Sequence, residues 1–180
     1  MAVSGRVVVR TLVVVALALL FQVTVVLDVR VGGASPNVMF LLPIAAGLVA
    51  GPVEGATVGF VAGIAADLLT PTPLGMSALV GTLVGFGVGE ISGTFVRDMR
   101  GLPTLAALGA SAVAVMLYAV LGAVLGESQF LHVDLAVVVT VVAVANALLA
   151  GPTVRLMRWA LTPPLERSAA GGRRAAGERR

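Results

Sequence analysis

Long runs of Val, Ala and Leu, interrupted by Pro, Gly and charged residues, set the pattern of this chain. Apolar runs bounded by such breakers predict helices over 7–27, 37–50, 53–69, 74–95, 102–125 and 133–157. The breakers have physical mechanisms. Ser35 and Pro36 supply an N-cap and a first-turn proline, Gly51-Pro52 ends one helix and opens the next, and Pro71 and Pro73 force a tight turn. The second and third predicted helices, at about 14 and 17 residues, span only about 21 and 26 Å at 1.5 Å per residue. Both are short for hydrocarbon about 30 Å thick. Either longer neighbours shield them or the bilayer thins around them, and Pro43 is expected to kink the first of the pair. From Thr162 onward the apolar periodicity stops, so the chain divides into a polytopic membrane domain over 1–161 and a basic tail over 162–180 expected to be disordered.

Composition sharpens this picture. Of 180 residues, 58% are hydrophobic and 12% charged, against about 45–50% and about 25% in soluble domains. Hydrocarbon, not water, is the expected solvent, and the fold class is all-α integral membrane with about six transmembrane helices. Cysteine is absent, which excludes disulfides, thiolate nucleophiles and Cys-ligated metals. All 12 basic residues are Arg. With six spans, Arg6, Arg10, Arg97, Arg100, Arg155, Arg158 and the tail arginines share one side, and only Arg30 lies on the other. Basic residues are retained in the cytoplasm, so both termini are expected there. The first apolar stretch is too long for a typical signal-peptide core and is expected to be an uncleaved anchor.

Small residues carry the most informative periodicity. Gly55, Gly59, Gly63 and Asp67 recur every four residues in the third predicted helix, as do Ser77, Gly81, Gly85, Gly89 and Gly93 in the fourth. Each helix therefore presents one flat stripe along which backbones can approach closely. With the turn centred near Thr72, residues equidistant from it lie at one depth. Gly63 is then expected opposite Gly81, Gly59 opposite Gly85, and Gly55 opposite Gly89. A tight intramolecular pair is the preferred reading, and a stripe that docks another protein's helix is the alternative. Leucine at Ala62 or Ala66, off the stripe, is expected to be better tolerated than at Gly59 or Gly63.

Ionisable groups inside membrane helices are costly and mark paired or functional positions. The same depth argument places Glu54 level with Glu90 near the cytoplasmic surface, satisfied by Arg97, Arg100, Arg6 or water. It places Asp67 opposite Ser77 near the outer surface, where the carboxylate can accept from the first amides of the fourth helix. Gln22, Thr24 and Asn146 are expected to form interhelical hydrogen bonds. His132, the only histidine, stands in a loop and has no Cys or second His to complete a site, so no metal site is expected. Arg155, Arg158, Arg167, Arg173 and Arg174 are candidate contacts for anionic lipid. A P-loop, a Gly-x-Ser-x-Gly elbow, a His-Glu-x-x-His pair and clustered aspartates are all missing. Neither an enzyme nor a cofactor is expected, and nucleic acid is not a partner for a chain whose basic charge follows the membrane rule.

Pro36-Asn37-Val38-Met39, Gly51-Pro52-Val53-Glu54-Gly55, the run from Gly59 to Leu69 and Pro73-Leu74-Gly75-Met76-Ser77-Ala78-Leu79 together resemble the MreD family of rod shape-determining proteins. The Gly-x3-Gly-x3-Asp-Leu segment and the following Leu-Gly-x-x-Ala-Leu pattern carry most of the likeness, and the Arg-only, Val- and Ala-rich composition suggests an actinobacterial-type member. The resemblance implies a non-enzymatic inner-membrane component of the cell-elongation machinery that regulates cell shape and peptidoglycan synthesis. Its implied partners are the bitopic coiled-coil protein MreC and, directly or through it, a RodA-like glycosyltransferase, a class B penicillin-binding transpeptidase and MreB. It also implies a helical arrangement similar to the substrate-binding subunits of energy-coupling-factor transporters. The competing function is therefore the membrane subunit of a vitamin uptake transporter, which requires an outward pocket with aromatic and polar groups. At 4% aromatic content the chain is poorly furnished for one.

Overall fold

The computed structural model describes residues 5–26, 38–70, 73–94, 102–126 and 135–162. They form α1 (Gly5–Phe21), which runs into a π-helical turn (Gln22–Val26), then α2 (Leu41–Ala50), α3 (Pro52–Asp67), α4 (Met76–Thr94), α5 (Leu102–Val124) and α6 (Leu135–Leu161). Among these residues there is no strand. Four segments are long and apolar enough to cross a bilayer: Gly5–Thr24, Met76–Gly93, Pro103–Val124 and Leu135–Leu161. The chain is an all-α membrane protein, with α2 at 10 residues and α3 at 16 falling short of a full crossing.

The shortness of α2 has a packing explanation. Leu41 through Gly47 are all buried, so the helix has no lipid-facing side over that stretch. A helix that is apolar all round belongs in a core. Leu42, Ala45 and Ala46 pack with Val14 and Val15 of α1, Val58 and Ala62 of α3, and Val154, Met157 and Ala160 of α6. Phe40, just before α2, and Ile44 pack with Val80 and Val84 of α4 and Ala114 of α5. Leu41 meets Ala107 of α5 and Ala150 of α6. Longer neighbours therefore shield α2, and it need not match the bilayer.

Its start also differs from the sequence expectation. The helix begins at Leu41, four residues after the predicted 37, behind a turn in which the Leu41 amide donates to the Val38 carbonyl at 3.0 Å. Gln22 bears on the delay, because its Oε1 accepts the Val38 amide at 2.9 Å and ties this turn to the π-helical end of the first helix. Ser35 and Pro36 lie outside the described residues, and the N-cap position of α2 is Phe40, which makes no side-chain cap hydrogen bond. Pro43 consequently stands in the first turn, where no intrahelical amide donor is required, and the helix continues through it to Ala50. At the other end of the chain α6 continues past Met157 to Leu161, with Pro152 inside it. Thr153 reinforces that stretch by donating its hydroxyl to the Leu149 carbonyl at 2.8 Å.

Candidate functional site

Among the described residues, backbones approach very closely where α2, α3 and α4 meet, and glycine makes this possible. A Cβ built on Gly59 would strike the Gly81 carbonyl group, and one on Gly81 would lie 2.8 Å from the Gly59 carbonyl oxygen. One turn away, a Cβ on Gly55 would lie 2.8 Å from the Gly85 carbonyl carbon and 2.9 Å from the Gly47 Cα. Gly63 faces Ser77 and Ala78, and Gly89 faces Gly51 and Pro52. All these neighbours are backbone, which cannot swing aside as a flexible side chain can.

The register is shifted by one helical turn from the expected one. Gly59 meets Gly81 instead of Gly85, and Gly55 meets Gly85 instead of Gly89, so the hairpin is centred near Thr70 and not Thr72. Residues equidistant from a turn share a depth only when the turn is symmetric, and this one is asymmetric. On the α3 side the chain keeps winding beyond Asp67, with the Leu68 amide on the Ile64 carbonyl and the Leu69 amide on the Ala66 carbonyl. On the α4 side Gly75 adopts φ 93°, a conformation that favours glycine, and reverses the chain into the helix. Glu54 and Glu90 consequently lose their common level. Both are exposed, Glu54 in the first turn of α3 and Glu90 near the end of α4. Arg6 makes no ion pair with Glu54, and Arg97 and Arg100 lie outside the described residues.

Asp67 ties the two helices together. Only 2% exposed, its carboxylate accepts the Gly75 amide at 2.8 Å, the Ser77 amide at 3.1 Å and the Ala78 amide at 3.4 Å. These are amides at the start of α4, which have no partner within their own helix. Side chains lean toward the N-terminus of their helix, so the Asp67 carboxylate drops to the level of Gly63, where Ser77 stands. The negative charge also faces the positive end of the α4 dipole. A stripe residue of α3 thus serves as the N-cap of α4.

Two partners in this junction escaped the sequence reading. Gly47 of α2 approaches so closely that a Cβ on it would lie 2.6 Å from the Gly85 carbonyl oxygen, and the Pro43 Cβ would lie 2.9 Å from a Cβ on Gly85. The signal was present: Pro43, Gly47, Gly51, Gly55, Gly59, Gly63 and Asp67 form one unbroken four-residue series through the break between α2 and α3. Conversely, Gly93 continues the α4 series but meets nothing. Ala62, expected to have room, is 1% exposed and packed among side chains of α1, α2 and α6.

The remaining polar groups divide by role. Asn146 of α6 donates to Ser111 of α5 at 2.8 Å in a buried interhelical bond. Thr24 instead donates to the Leu20 carbonyl of its own helical segment, at 2.6 Å. His132, Arg167, Arg173 and Arg174 lie outside the described residues, and Arg155 and Arg158 stand exposed on the last turns of α6. Among the described residues no three His, Cys, Asp or Glu side chains are grouped to hold a metal ion.

A second surface is concave. Between α4 and α5, with Leu48 of α2 at its back, lies an apolar groove of about 400 Å³. Gly87, Ala106, Gly109 and Ala110 help to line it, and Leu83, Ile91, Leu105 and Val113 stand exposed along it. A Cβ on Gly87 or Gly109 would meet nothing within 4 Å, unlike one on the α3-facing glycines. Ser92 is the polar side chain in this lining, and its hydroxyl already donates to the Gly89 carbonyl at 3.0 Å and the Gly47 carbonyl at 3.3 Å.

Comparison with curated proteins and with solved structures gave no match. The family model of the rod shape-determining protein MreD matches residues 4–159, which include all of α2–α5, the whole glycine junction and the Asp67 clasp. The chain belongs to the MreD family of rod shape-determining membrane proteins.

Proposed function

We propose that this protein is a non-enzymatic component of the inner-membrane machinery for cell elongation and that it binds an MreC-like bitopic protein through the groove between α4 and α5. All six helices lie within the bilayer in this reading, and both termini are cytoplasmic. The groove occupies the half of α4 and α5 nearest the loop that joins them, which is the cytoplasmic half under the positive-inside rule. The supporting observation is the contrast between two sets of glycines. Those facing α3 and α2 are consumed inside the chain, while Gly87 and Gly109 keep open space above them. Small residues along an unfilled, lipid-facing groove let a transmembrane helix approach closely, which is the main source of helix association where water is absent. RodA-like and penicillin-binding synthases and MreB would then be reached directly or through the MreC-like protein. Similarity to energy-coupling-factor subunits rests on the family resemblance alone. The uptake-transporter alternative gains nothing from a groove whose polar side chain is already engaged.

The test is a detergent pulldown of Gly87→Leu and Gly109→Leu variants. We expect both to keep wild-type thermal stability and lose the bitopic coiled-coil partner. Full recovery of that partner by both variants excludes the groove, and recovery of an ATPase pair by the wild type favours transport. A terminal reporter active only outside the inner membrane would refute the cytoplasmic placement of the ends.

A further inference from the structure

We infer that the end of the seam between α1 and α6 is a binding site for a phosphate group, supplied by the headgroup of an anionic phospholipid. The Arg10 guanidinium carbon lies 4.9 Å from the centroid of the Trp159 ring, stacked on its face. This contact holds the guanidinium against the indole, and a guanidinium is the side chain best suited to paired hydrogen bonds with a phosphate. The Nη1 atom is enclosed and has no acceptor, and neither has the enclosed hydroxyl of the adjacent Thr11. Thr11 is out of character in this protein. Thr57, Thr82, Thr140 and Thr153 each donate to the carbonyl four residues earlier. Two neighbouring polar groups on the face of α1 that also carries Val14 and Val15 are thus short of an acceptor that the described residues do not supply.

Charge and position name the missing acceptor. Arg6 precedes Arg10 by one turn on α1, and Arg155 precedes Trp159 by one turn on α6, with Arg158 beside it. Among the described residues none of these four arginines has a carboxylate partner. Arg10 is only partly buried, so the site is open to one side. A stacked arginine and a tryptophan near helix ends occupy the depth of lipid headgroups, and several uncompensated arginines there attract anionic lipid. A phosphate oxygen satisfies a guanidinium edge bidentately, which an isolated surface charge cannot exploit.

The experiment is native mass spectrometry of the detergent-purified full chain under competition between dioleoyl phosphatidylglycerol and dioleoyl phosphatidylcholine, with a parallel series in inorganic phosphate. We expect the wild type to retain phosphatidylglycerol preferentially. Arg10→Gln should lose roughly tenfold or more of that preference, as befits a charge-assisted hydrogen bond, and Arg10→Lys should recover little of it, because an ammonium cannot reproduce the planar fork. Arg158→Gln, removing only surface attraction, should lose about fivefold at most. Equal losses in Arg10→Gln and Arg158→Gln overturn the site and leave a diffuse field. No preference in the wild type also overturns it and shifts the missing acceptor to a carboxylate on a partner helix. Loss of the preference in millimolar inorganic phosphate would assign the site to a soluble phosphate compound and not to lipid.

Discussion

Replacing Gly59 by Ala adds one methyl group to a place with no volume for it. That methyl would fall on the Gly81 carbonyl and 2.8 Å from the Thr82 amide nitrogen, both backbone atoms of α4. Relief therefore requires that α3 and α4 separate as rigid bodies, weakening the contacts at Gly55–Gly85 and Gly63–Ser77 together. Overpacking of this kind costs about 1–3 kcal/mol. For a chain of this size that corresponds to a fall in thermal midpoint of roughly 2–12 °C. Gly93→Ala is the matched control, since its Cβ meets nothing and alanine has the better helix propensity. The register can be tested with double-mutant cycles in detergent. Once Gly59→Ala has separated the helices at this layer, Gly81→Ala should cost much less than it does alone. The coupling of Gly59 with Gly81 should therefore exceed that of Gly59 with Gly85. A Gly59→Ala protein with wild-type stability, or coupling greatest with Gly85, would refute the packing argument or the register respectively.

Further predictions concern the polar groups. Asp67→Ala leaves the Gly75, Ser77 and Ala78 amides without their acceptor and should cost about 1–2 kcal/mol, with Asp67→Asn intermediate; equal melting of all three proteins would remove the capping role. Ser111→Ala should cost only about 0.6 kcal/mol, the usual scale of interhelical hydrogen bonds in bilayers, and a loss above about 2 kcal/mol would mean that Asn146 has a larger role. The double change of Glu54 and Glu90 to Gln should leave membrane insertion intact because both side chains are exposed; loss of insertion in Glu54→Gln alone would contradict this.

Much of the fold could be read from the residues because a bilayer simplifies the code. An apolar run between Pro, Gly and charge has little choice but to be helical, and the Gly-x3-Gly spacing points to close approach whatever the partner. The Asp67 cap could be anticipated because a carboxylate at the end of a stripe, before a proline-rich turn, has few other uses. The shape of the turn was not legible. The side-chain clasp at Asp67 and the positive φ of Gly75 set the offset, and spacing counted along helices is blind to both. The start of α2 was misplaced for a similar reason, since Gln22 acts on it from another helix. The groove between α4 and α5 was also hidden, because it depends on how far two helices splay and not on which residues line them.

The central place of α2 bears on how the protein is made. Only 10 residues long, this segment is poorly suited to leave the translocon as an independent crossing, and it is joined to α3 through Gly51-Pro52 without a spacer. Its burial partners Val80, Val84, Ala107, Ala114, Ala150 and Met157 are all synthesised after it. A nascent chain that stops before α4 therefore carries a core without its shell, and the early helices must wait in the membrane for the late ones to close around them.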